Sequence, residues 1–222
     1  MKKSIKISLF IALLLLIDQI IKILVKNSMN LGESFWVFPH WFEISFVENP
    51  GMAFGMKFGG TVGKAILTFF RLIVSGLVLF YIIKLVKNNY KIGYILCVCL
   101  IFVGAIGNIV DCLFYGLVFD TGTIFDTANQ YYVGYQGISS FSTQGYAPLL
   151  QGCVVDMFHF PLFTFPDWLP LLGGEIFFSP VFNVADSCIT IGIFMLIIFF
   201  RKDFNITFDR YFQKSPDSQR HL

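Results

Sequence analysis

Charged residues are scarce in this chain. Only 14% of its 222 residues are charged and 56% are hydrophobic, whereas a soluble domain has about 25% charged residues. Lysine and arginine are absent altogether from 92 to 200. This composition excludes an ordinary soluble globular protein and predicts a protein embedded in a membrane.

Long apolar runs identify the segments that cross the membrane. A bilayer core of about 30 Å is crossed by about 20 apolar residues in a helix. The first run could belong to a cleaved signal peptide, but it lacks a small-residue cleavage site and contains Asp18, Gln19 and Lys22, which favours a retained helix. Four runs therefore predict four transmembrane helices: Ile5–Val25, Ala65–Val86, Ile92–Leu113 and Val181–Phe200.

The distribution of positive charge predicts the orientation of these helices. Cations precede the first span, lie between the second and third, and follow the fourth: Lys2, Lys3 and Lys6, then Lys84, Lys87 and Lys91, then Arg201, Lys202, Arg210, Lys214 and Arg220. We therefore expect both termini and the middle loop in the cytoplasm, and the segments of about 27–63 and 114–180 outside. The net charge of +2 reflects this asymmetry and indicates no nucleic-acid partner.

The two outer segments differ from ordinary loops. Residues 41–48, WFEISFVE, alternate between apolar and polar side chains as a β-strand does. The stretch 158–174 is aromatic and broken by three prolines, which predicts short turns or a helix along the membrane interface. The stretch 117–151 is rich in Gly, Thr, Ser, Gln and Tyr and is interpreted as an inserted polar loop. With no internal repeat, 1–222 is predicted to be a single membrane domain.

Polar residues inside the spans are costly in lipid and are therefore candidates for function. Aspartate and asparagine recur three residues apart in two spans, on one helical face each. For Asp18 an ion pair with Lys22 at i and i+4 is an equally good explanation, whereas Asp186 has no cation in its own span. Five such residues share one predicted depth near the outer surface: Asp18, Asn108, Asp111, Asn183 and Asp186.

The motifs of several catalytic classes are missing. The chain has three histidines and neither G-x-S-x-G nor H-E-x-x-H. GGTVGK at 59–64 lacks the glycine spacing and the final Ser or Thr of a P-loop. Cys97 and Cys99 are predicted to be buried thiols. No spacing requires a disulfide, although one could form in an oxidising compartment among the three cysteines nearer the outer face: Cys112, Cys153 and Cys188.

With those motifs missing, carboxylates are the candidate catalytic groups of the site. Two carboxyl groups that share one proton can activate water for peptide hydrolysis. An ion-coupled carrier is an alternative, but it would have polar groups through the full depth of the membrane and helices broken near the midplane. Here the fourth span is uninterrupted below Thr190. A structural membrane subunit is the third hypothesis, and it would tolerate Asp→Asn changes.

Five short blocks occur in a fixed order along nearly the whole chain: DQIIK at 18–22, NPGMAFG at 49–55, GNIVD at 107–111, CVVDMF at 153–158 and FNVAD at 182–186. They resemble the motifs D-Q-x-x-K, N-x-G-x-A-F, G-N-x-x-D-R, V-V-D-F and F-N-x-A-D of the lipoprotein signal peptidase (signal peptidase II) family, the aspartyl proteases of the bacterial inner membrane.

The resemblance implies a fold, a reaction and a site. The fold would be an α-helical polytopic membrane protein, with four transmembrane helices, a small periplasmic β-cradle and an interfacial helix. The enzyme would cut diacylglyceryl-modified prolipoproteins just before the lipidated cysteine, at the periplasmic face, among membrane lipids and without a metal or cofactor. Asp156 and Asp186 would form the catalytic dyad. The substrate-binding and supporting residues would be Asp18, Lys22, Asn49, Gly51, Asn108, Asp111 and Asn183.

The chain departs from the family pattern in two places. Cys112 stands where the G-N-x-x-D-R motif has arginine, which leaves the contribution of that arginine to substrate binding unaccounted for. The long stretch 117–151 also supplies two G-x-V-x-D patterns, ending at Asp120 and at Asp156. The nine-residue distance from Asp111 favours Asp120, whereas the apolar continuation MFHFPLF favours Asp156. Because Asp120 leads into a polar, turn-prone stretch, we expect Asp156 to be the catalytic residue.

Overall fold

Helices make up most of the fold. The computed structural model describes residues 2–51 and 60–212. The helices in these ranges are α1 (Lys3–Lys26), α2 (Gly60–Lys87), α3 (Ile92–Val110), α4 (Gly116–Val118), α5 (Val184–Phe199) and α6 (Arg201–Phe212). A π-helical turn at Asp111–Tyr115 joins α3 to α4, so one helical segment runs from Ile92 to Val118. This segment, α1 and α2 are each long and apolar enough to cross a membrane.

The fourth predicted span is shorter than expected. The sequence predicts Val181–Phe200, but α5 has only 16 residues, about 24 Å at 1.5 Å per residue. It begins late because Phe182 is held in extended backbone by a β-bridge to Phe158 and Asn183 caps the first turn. After α5 the chain bends by 92° into α6, and only the two helices together meet the length of a span. The described residues thus contain three unbroken spans and one bent candidate.

A three-stranded antiparallel sheet packs against α1 and the π-helical turn. In spatial order its strands are β1 (Ser34–Phe38), β2 (Phe42–Asn49) and β5 (Val154–His159). β2 confirms the strand predicted over 41–48, displaced by one residue. Phe46, Val155 and Met157 project from one face of the sheet into a fully buried apolar cluster. The opposite face presents Asn49 of β2 and Asp156 of β5 among apolar neighbours.

The aromatic segment 158–174 forms turns and part of a small hairpin. β6 (Phe163–Thr164) pairs with β7 (Ile176–Phe177), and the rings of Phe163 and Phe177 stack with centroids 4.8 Å apart. Residues 160–183 contain no helix, so of the two forms predicted for 158–174, turns or a helix, the turns are observed. The prolines lack the amide hydrogen that a helix interior requires. The resemblance assigned its interfacial helix to no particular segment, and that helix stays a prediction.

The inserted stretch 117–151 folds back onto the body of the protein. It contains a second antiparallel pair, β3 (Ile124–Asp126) with β4 (Tyr131–Val133). Phe119 is fully buried and stacks on Phe141 with ring centroids 4.9 Å apart. The stretch therefore has packed apolar contacts as well as the polar composition seen in the sequence.

The end of the helices opposite the sheet holds several predicted cytoplasmic cations. The ammonium group of Lys3 donates to Asn89 Oδ1 at 3.1 Å. Lys91 forms an exposed ion pair with Asp203 of α6 at 3.0 Å. α1 begins at this end and finishes beside the sheet, so the cations and the sheet lie at opposite ends of the bundle.

Candidate active site

Two neighbouring strands present the first pair of site residues. Val47 of β2 lies opposite Asp156 of β5, and Asn49 follows Val47 by two positions. Side chains two residues apart in a strand point to the same face, so Asn49 and Asp156 share one face of the sheet. The side-chain amide of Asn49 donates to Asp156 Oδ2 at 3.3 Å. Strand register is therefore what brings these two residues together.

Asp186 is positioned by the first turn of α5. Asn183 is the N-cap residue, and its Oδ1 accepts the N–H of Asp186 at 2.9 Å. In return Asp186 Oδ2 accepts the N–H of Asn183 at 3.2 Å. This reciprocal capping box satisfies two backbone donors that would otherwise be unpaired. The capping box thus explains the three-residue spacing of Asn183 and Asp186 in the FNVAD block. It leaves the other oxygen of Asp186, Oδ1, for a contact within the site.

Two asparagine amides connect the carboxyl groups of Asp156 and Asp186. Asn108 Nδ2 donates to Asp186 Oδ1 at 2.8 Å. Asn183 Nδ2 donates to Asp156 Oδ1 at 2.7 Å and to Asn108 Oδ1 at 3.0 Å. The Asn183 side chain is fully buried, so its amide is used to hold Asp156, whereas the resemblance implied a contact with substrate.

Burial gives Asp156 an unusual protonation behaviour. Its side chain is almost fully buried, and burial together with the charge of nearby Asp186 raises the pKa of Asp156 to about 7. Desolvation disfavours the charged form of a carboxyl group, and a neighbouring negative charge adds to that effect. The hydrogen bonds from Asn49 and Asn183 act in the opposite direction but do not cancel it. Asp156 therefore keeps its proton in weakly acidic solution.

A buried lysine contacts this network. Lys22 Nζ lies 2.8 Å from Asp111 Oδ2 and 3.1 Å from Asp18 Oδ2, and it donates to Asn108 Oδ1 at 2.9 Å. The three charged side chains are fully buried. Buried charges are tolerated when they are paired and hydrogen-bonded. The predicted pair of Asp18 with Lys22 is present, but it is part of a larger cluster that reaches the site.

Asp18 and Asp111 also hold the backbone immediately before the two site carboxylates. Asp18 Oδ1 accepts the N–H of Ala185 at 2.9 Å, within the first turn of α5. Asp111 Oδ2 accepts the N–H of Val155 at 3.2 Å, in β5. Each supporting aspartate thus fixes the residue that precedes a site carboxylate, and Lys22 links the two supports.

Gln19 completes this support and was not assigned a role from the sequence. Its Nε2 donates to Asp18 Oδ2 at 3.1 Å, to Asp111 Oδ1 at 3.0 Å and to the carbonyl of Gly107 at 3.2 Å. A Cβ at Gly107 would lie only 2.7 Å from Asp18 Oδ2, so glycine is needed for this close approach. Gln19 stands in the DQIIK block, but its spacing alone does not show that it faces α3.

The block at 49–55 is described in its first three residues, and 52–55 lie outside the described ranges. Gly51 has a φ of +91°, a conformation that favours glycine. Its N–H donates to Asn49 Oδ1 at 2.9 Å. This turn fixes the orientation of the Asn49 amide, so that its nitrogen faces Asp156.

Asp120 lies in a different environment from Asp156. It is exposed, and its Oδ1 accepts the N–H of Ser140 at 2.8 Å and the hydroxyl of Ser139 at 3.1 Å. The hydrogen bond from the Ser140 backbone is the main cause of a lowered pKa at Asp120. Ser139 and Ser140 both belong to the inserted stretch 117–151. The hydrogen bonds of Asp120 therefore hold this stretch together.

All five cysteines are described, and all are buried free thiols. This confirms the prediction for Cys97 and Cys99, and no disulfide forms among the three outer cysteines. Cys153 Sγ is 3.3 Å from the ammonium group of Lys64, and burial raises the pKa of Cys153 to about 11. Within 2–51 and 60–212, no group of three or more His, Cys, Asp or Glu is placed to hold a metal ion.

A second buried ion pair joins the inserted stretch to β2. Lys26 pairs with Glu48 and donates to the carbonyl of Thr121 at 3.0 Å. Glu48 Oε2 accepts the N–H of Thr123 at 2.6 Å. Lys26 Nζ also lies 5.0 to 5.4 Å from the centroids of three aromatic rings: Phe119, Tyr135 and Tyr146. Sequence reasoning missed this pair because the two residues lie on different elements, 22 positions apart.

Breaking this pair is expected to destabilise the protein strongly. Glu48→Gln leaves Lys26 buried without its counter-charge, which costs about 3 to 5 kcal/mol. Thermal unfolding of the purified protein in detergent measures the effect. Lys91→Met is the matched control, since the exposed pair with Asp203 contributes little. Equal unfolding temperatures for Glu48→Gln and the wild type would contradict a stabilising role.

The family model described as Signal peptidase (SPase) II matches residues 10–202. The chain belongs to the signal peptidase II family. It is therefore a peptidase that removes signal peptides, and the carrier and structural-subunit hypotheses are set aside.

Individual relatives agree with this membership. The lipoprotein signal peptidase of Porphyromonas gingivalis is 43% identical over 208 residues, covering 91% of this chain and 86% of the relative. That of Amoebophilus asiaticus is 32% identical over 195 residues, covering 85% of this chain and 75% of the relative.

Solved structures agree at the level of the fold. A bacterial membrane enzyme structure, obtained by the in meso method at 1.9 Å resolution, matches with a TM-score of 0.55 at 24% identity. The match covers 89% of this chain and 94% of that one. The fold is thus shared with a bacterial membrane enzyme, which agrees with the apolar helices described above.

Proposed function

We propose that this signal peptidase II is an aspartyl endopeptidase that acts on diacylglyceryl-modified prolipoproteins and cuts just before the lipidated cysteine. The relatives named lipoprotein signal peptidase support the substrate class. One observation carries the aspartyl mechanism: Asp156 and Asp186 are linked through the amides of Asn183 and Asn108. Two carboxyl groups that share a proton are the means by which aspartic proteases activate water.

In the proposed reaction Asp186 is the general base and Asp156 the general acid. Water attacks the scissile carbonyl carbon and gives a proton to Asp186, while Asp156 gives its proton to the carbonyl oxygen. The tetrahedral intermediate then collapses, the carbon–nitrogen bond breaks, and the leaving nitrogen takes the proton from Asp186. A hydroxyl of the intermediate returns a proton to Asp156. The raised pKa of Asp156 supports its assignment as the acid.

The remaining predicted residues have supporting parts in this proposal. Asn49 and Gly51 form the turn beside Asp156 and are proposed to line the substrate path. The buried cluster holds the two catalytic aspartates through backbone and amide contacts and does not touch the reacting bond. Its members are Asp18, Gln19, Lys22 and Asp111. We propose no metal or other cofactor for the reaction.

We place this site at the periplasmic face of the bacterial inner membrane, with both termini in the cytoplasm. Asp18, Asp111 and Asp186 all lie at the sheet end of their helices, whereas the cation-rich loops lie at the opposite end. Positively charged loops mark the cytoplasmic side. A lipidated substrate presents its scissile bond where acyl chains end and water begins, which is the level proposed for the dyad.

A purified-enzyme assay tests the proposed function. The protein in detergent is incubated with a diacylglyceryl prolipoprotein and, in parallel, with the same prolipoprotein lacking lipid. Gel shift measures cleavage, and mass spectrometry identifies the new terminus. We expect cleavage of the lipidated form alone, before its cysteine, with or without a chelator. Equal cleavage of the unmodified protein would contradict the lipid requirement, and inhibition by the chelator would contradict the aspartyl mechanism.

The activity is expected to decline as the pH rises through about 7, because the pKa of Asp156 is raised to about 7. A carboxyl group with a raised pKa holds its proton below that value and loses it above, and the proposed acid must hold a proton. The profile of kcat/KM against pH measures this limb. The same limb should persist in Asp120→Asn. A flat profile through neutral pH would contradict Asp156 as the acid.

Reporter fusions test the orientation. Fusions at Asn88 and after Arg201 are expected to be cytoplasmic, and one at Gly137 external, because Lys and Arg are absent from 92 to 200. A phosphatase reporter that is active only outside, paired with a fluorescent reporter that is active only inside, gives complementary signals. A cytoplasmic Gly137 reporter would place the dyad on the wrong side of the membrane.

A further inference from the structure

A charged side chain lies within an apolar span and has no part in the site as described so far. Arg71 is the twelfth residue of α2, about 16 Å along the helix from Gly60. An arginine within a span is costly and marks a function by default. Within residues 2–51 and 60–212 it forms no ion pair with a carboxylate.

The direction of the helix explains where the guanidinium goes. Side chains on a helix point toward its N-terminus, and α2 has its N-terminus at the sheet end. Arg71 Nη2 accordingly donates to the carbonyl of Gly51 at 3.2 Å. A Cβ built on Gly51 would lie 3.4 Å from Arg71 Nη1, so the guanidinium packs directly against this turn.

The turn that Arg71 contacts leads to the dyad by two further hydrogen bonds. The N–H of Gly51 donates to Asn49 Oδ1 at 2.9 Å, and Asn49 Nδ2 donates to Asp156 Oδ2 at 3.3 Å. The carbonyl of Gly51 faces a cation while its N–H faces Asn49. The two contacts fix both sides of a glycine, which has no side chain to restrain its backbone and adopts a positive φ here.

Arg71 belongs to a row of polar side chains on α2. Lys64, Thr68 and Arg71 recur at helical spacing on one face, and the first two are buried. Cys112, which stands where the family motif has arginine, lies buried in the π-helical turn. Lys64 is already used by the carbonyl of Gln151 at 2.8 Å. Arg71 is therefore the cation of this row that reaches the site turn.

We propose that Arg71 is a positioning residue of the enzyme, which fixes the Asn49–Gly51 turn so that the Asn49 amide holds the carboxyl group of Asp156. The second helix thereby supplies a positive charge to the turn that holds Asn49. The proposal rests on the dyad proposed above, since Asn49 acts through Asp156.

Kinetics of Arg71 variants test this role. Arg71→Met is expected to lower kcat by about 10- to 100-fold, the effect of losing one hydrogen bond from a charged donor. KM should rise less than kcat falls, since Arg71 acts on substrate only through the turn that it holds. Arg71→Lys should restore part of the activity. Lys84→Met on the same helix, far from the site, is the matched control and should act like the wild type.

A double-mutant cycle separates positioning from direct substrate binding. If Arg71 acts through Asn49, Arg71→Met should have little further effect in an Asn49→Ala background. Additive losses, or a raised KM with kcat unchanged, would overturn the proposal. Should Arg71→Met fail to accumulate in membranes, the same cycle is run with Arg71→Lys. Full activity of Asp156→Asn would instead refute the dyad itself, so the two failures are distinguishable.

Discussion

Asp186→Asn is expected to abolish signal-peptide cleavage while leaving the protein folded and inserted. The amide oxygen can replace Asp186 Oδ2 in the capping box with Asn183, whereas the hydrogen bond that Oδ1 accepts from Asn108 is lost. The amide cannot take a proton from water, and general acid–base catalysis contributes about 10²- to 10⁴-fold to the rate. The loss should appear in kcat, with substrate binding largely retained.

Gel shift of a lipidated prolipoprotein measures this loss, and thermal unfolding checks that the variant is folded. The control is Asp203→Asn on α6, which removes an exposed ion pair far from the site and should leave cleavage unchanged. Near-normal processing by Asp186→Asn would refute the aspartyl protease hypothesis. Loss of cleavage together with loss of the folded protein would indicate that the cap of α5, rather than the chemistry, had failed.

Asp156→Asn is expected to be as inactive as Asp186→Asn, whereas Asp120→Asn retains most of its activity. Asp156 accepts hydrogen bonds from Asn49 and Asn183 and has a pKa raised to about 7. Asp120 is exposed and hydrogen-bonds with Ser139 and Ser140. Its replacement should loosen the inserted stretch without removing a proton donor or acceptor from the dyad.

The two variants are matched, because both exchange an aspartate for asparagine in a G-x-V-x-D pattern. Rates under single-turnover conditions compare the chemical step directly. The reverse result, with Asp120→Asn inactive and Asp156→Asn active, would move the dyad to Asp120 and Asp186. Inactivity of both would show that the inserted stretch is required for the site to form.

The amino-acid sequence by itself determined the membrane class, three of the spans and the candidate residues. Apolar runs long enough to cross a bilayer are a local property of the chain, so Ile5–Val25, Ala65–Val86 and Ile92–Leu113 were predictable. The recurring spacing of asparagine and aspartate is equally local. It indicated Asn108, Asp111, Asn183 and Asp186 because polar residues are rare in spans.

Only the tertiary structure decided how these residues are connected. The register of β2 against β5 places Asn49 on the same face as Asp156, and the bridge from Phe158 to Phe182 delays the start of α5; both depend on partners distant in sequence. The same holds for the Lys26–Glu48 pair and for Arg71, whose partner Gly51 lies 20 residues away. Hydropathy and periodicity describe what a residue prefers to be near, but burial, hydrogen bonding and charge pairing depend on which distant element is packed against it.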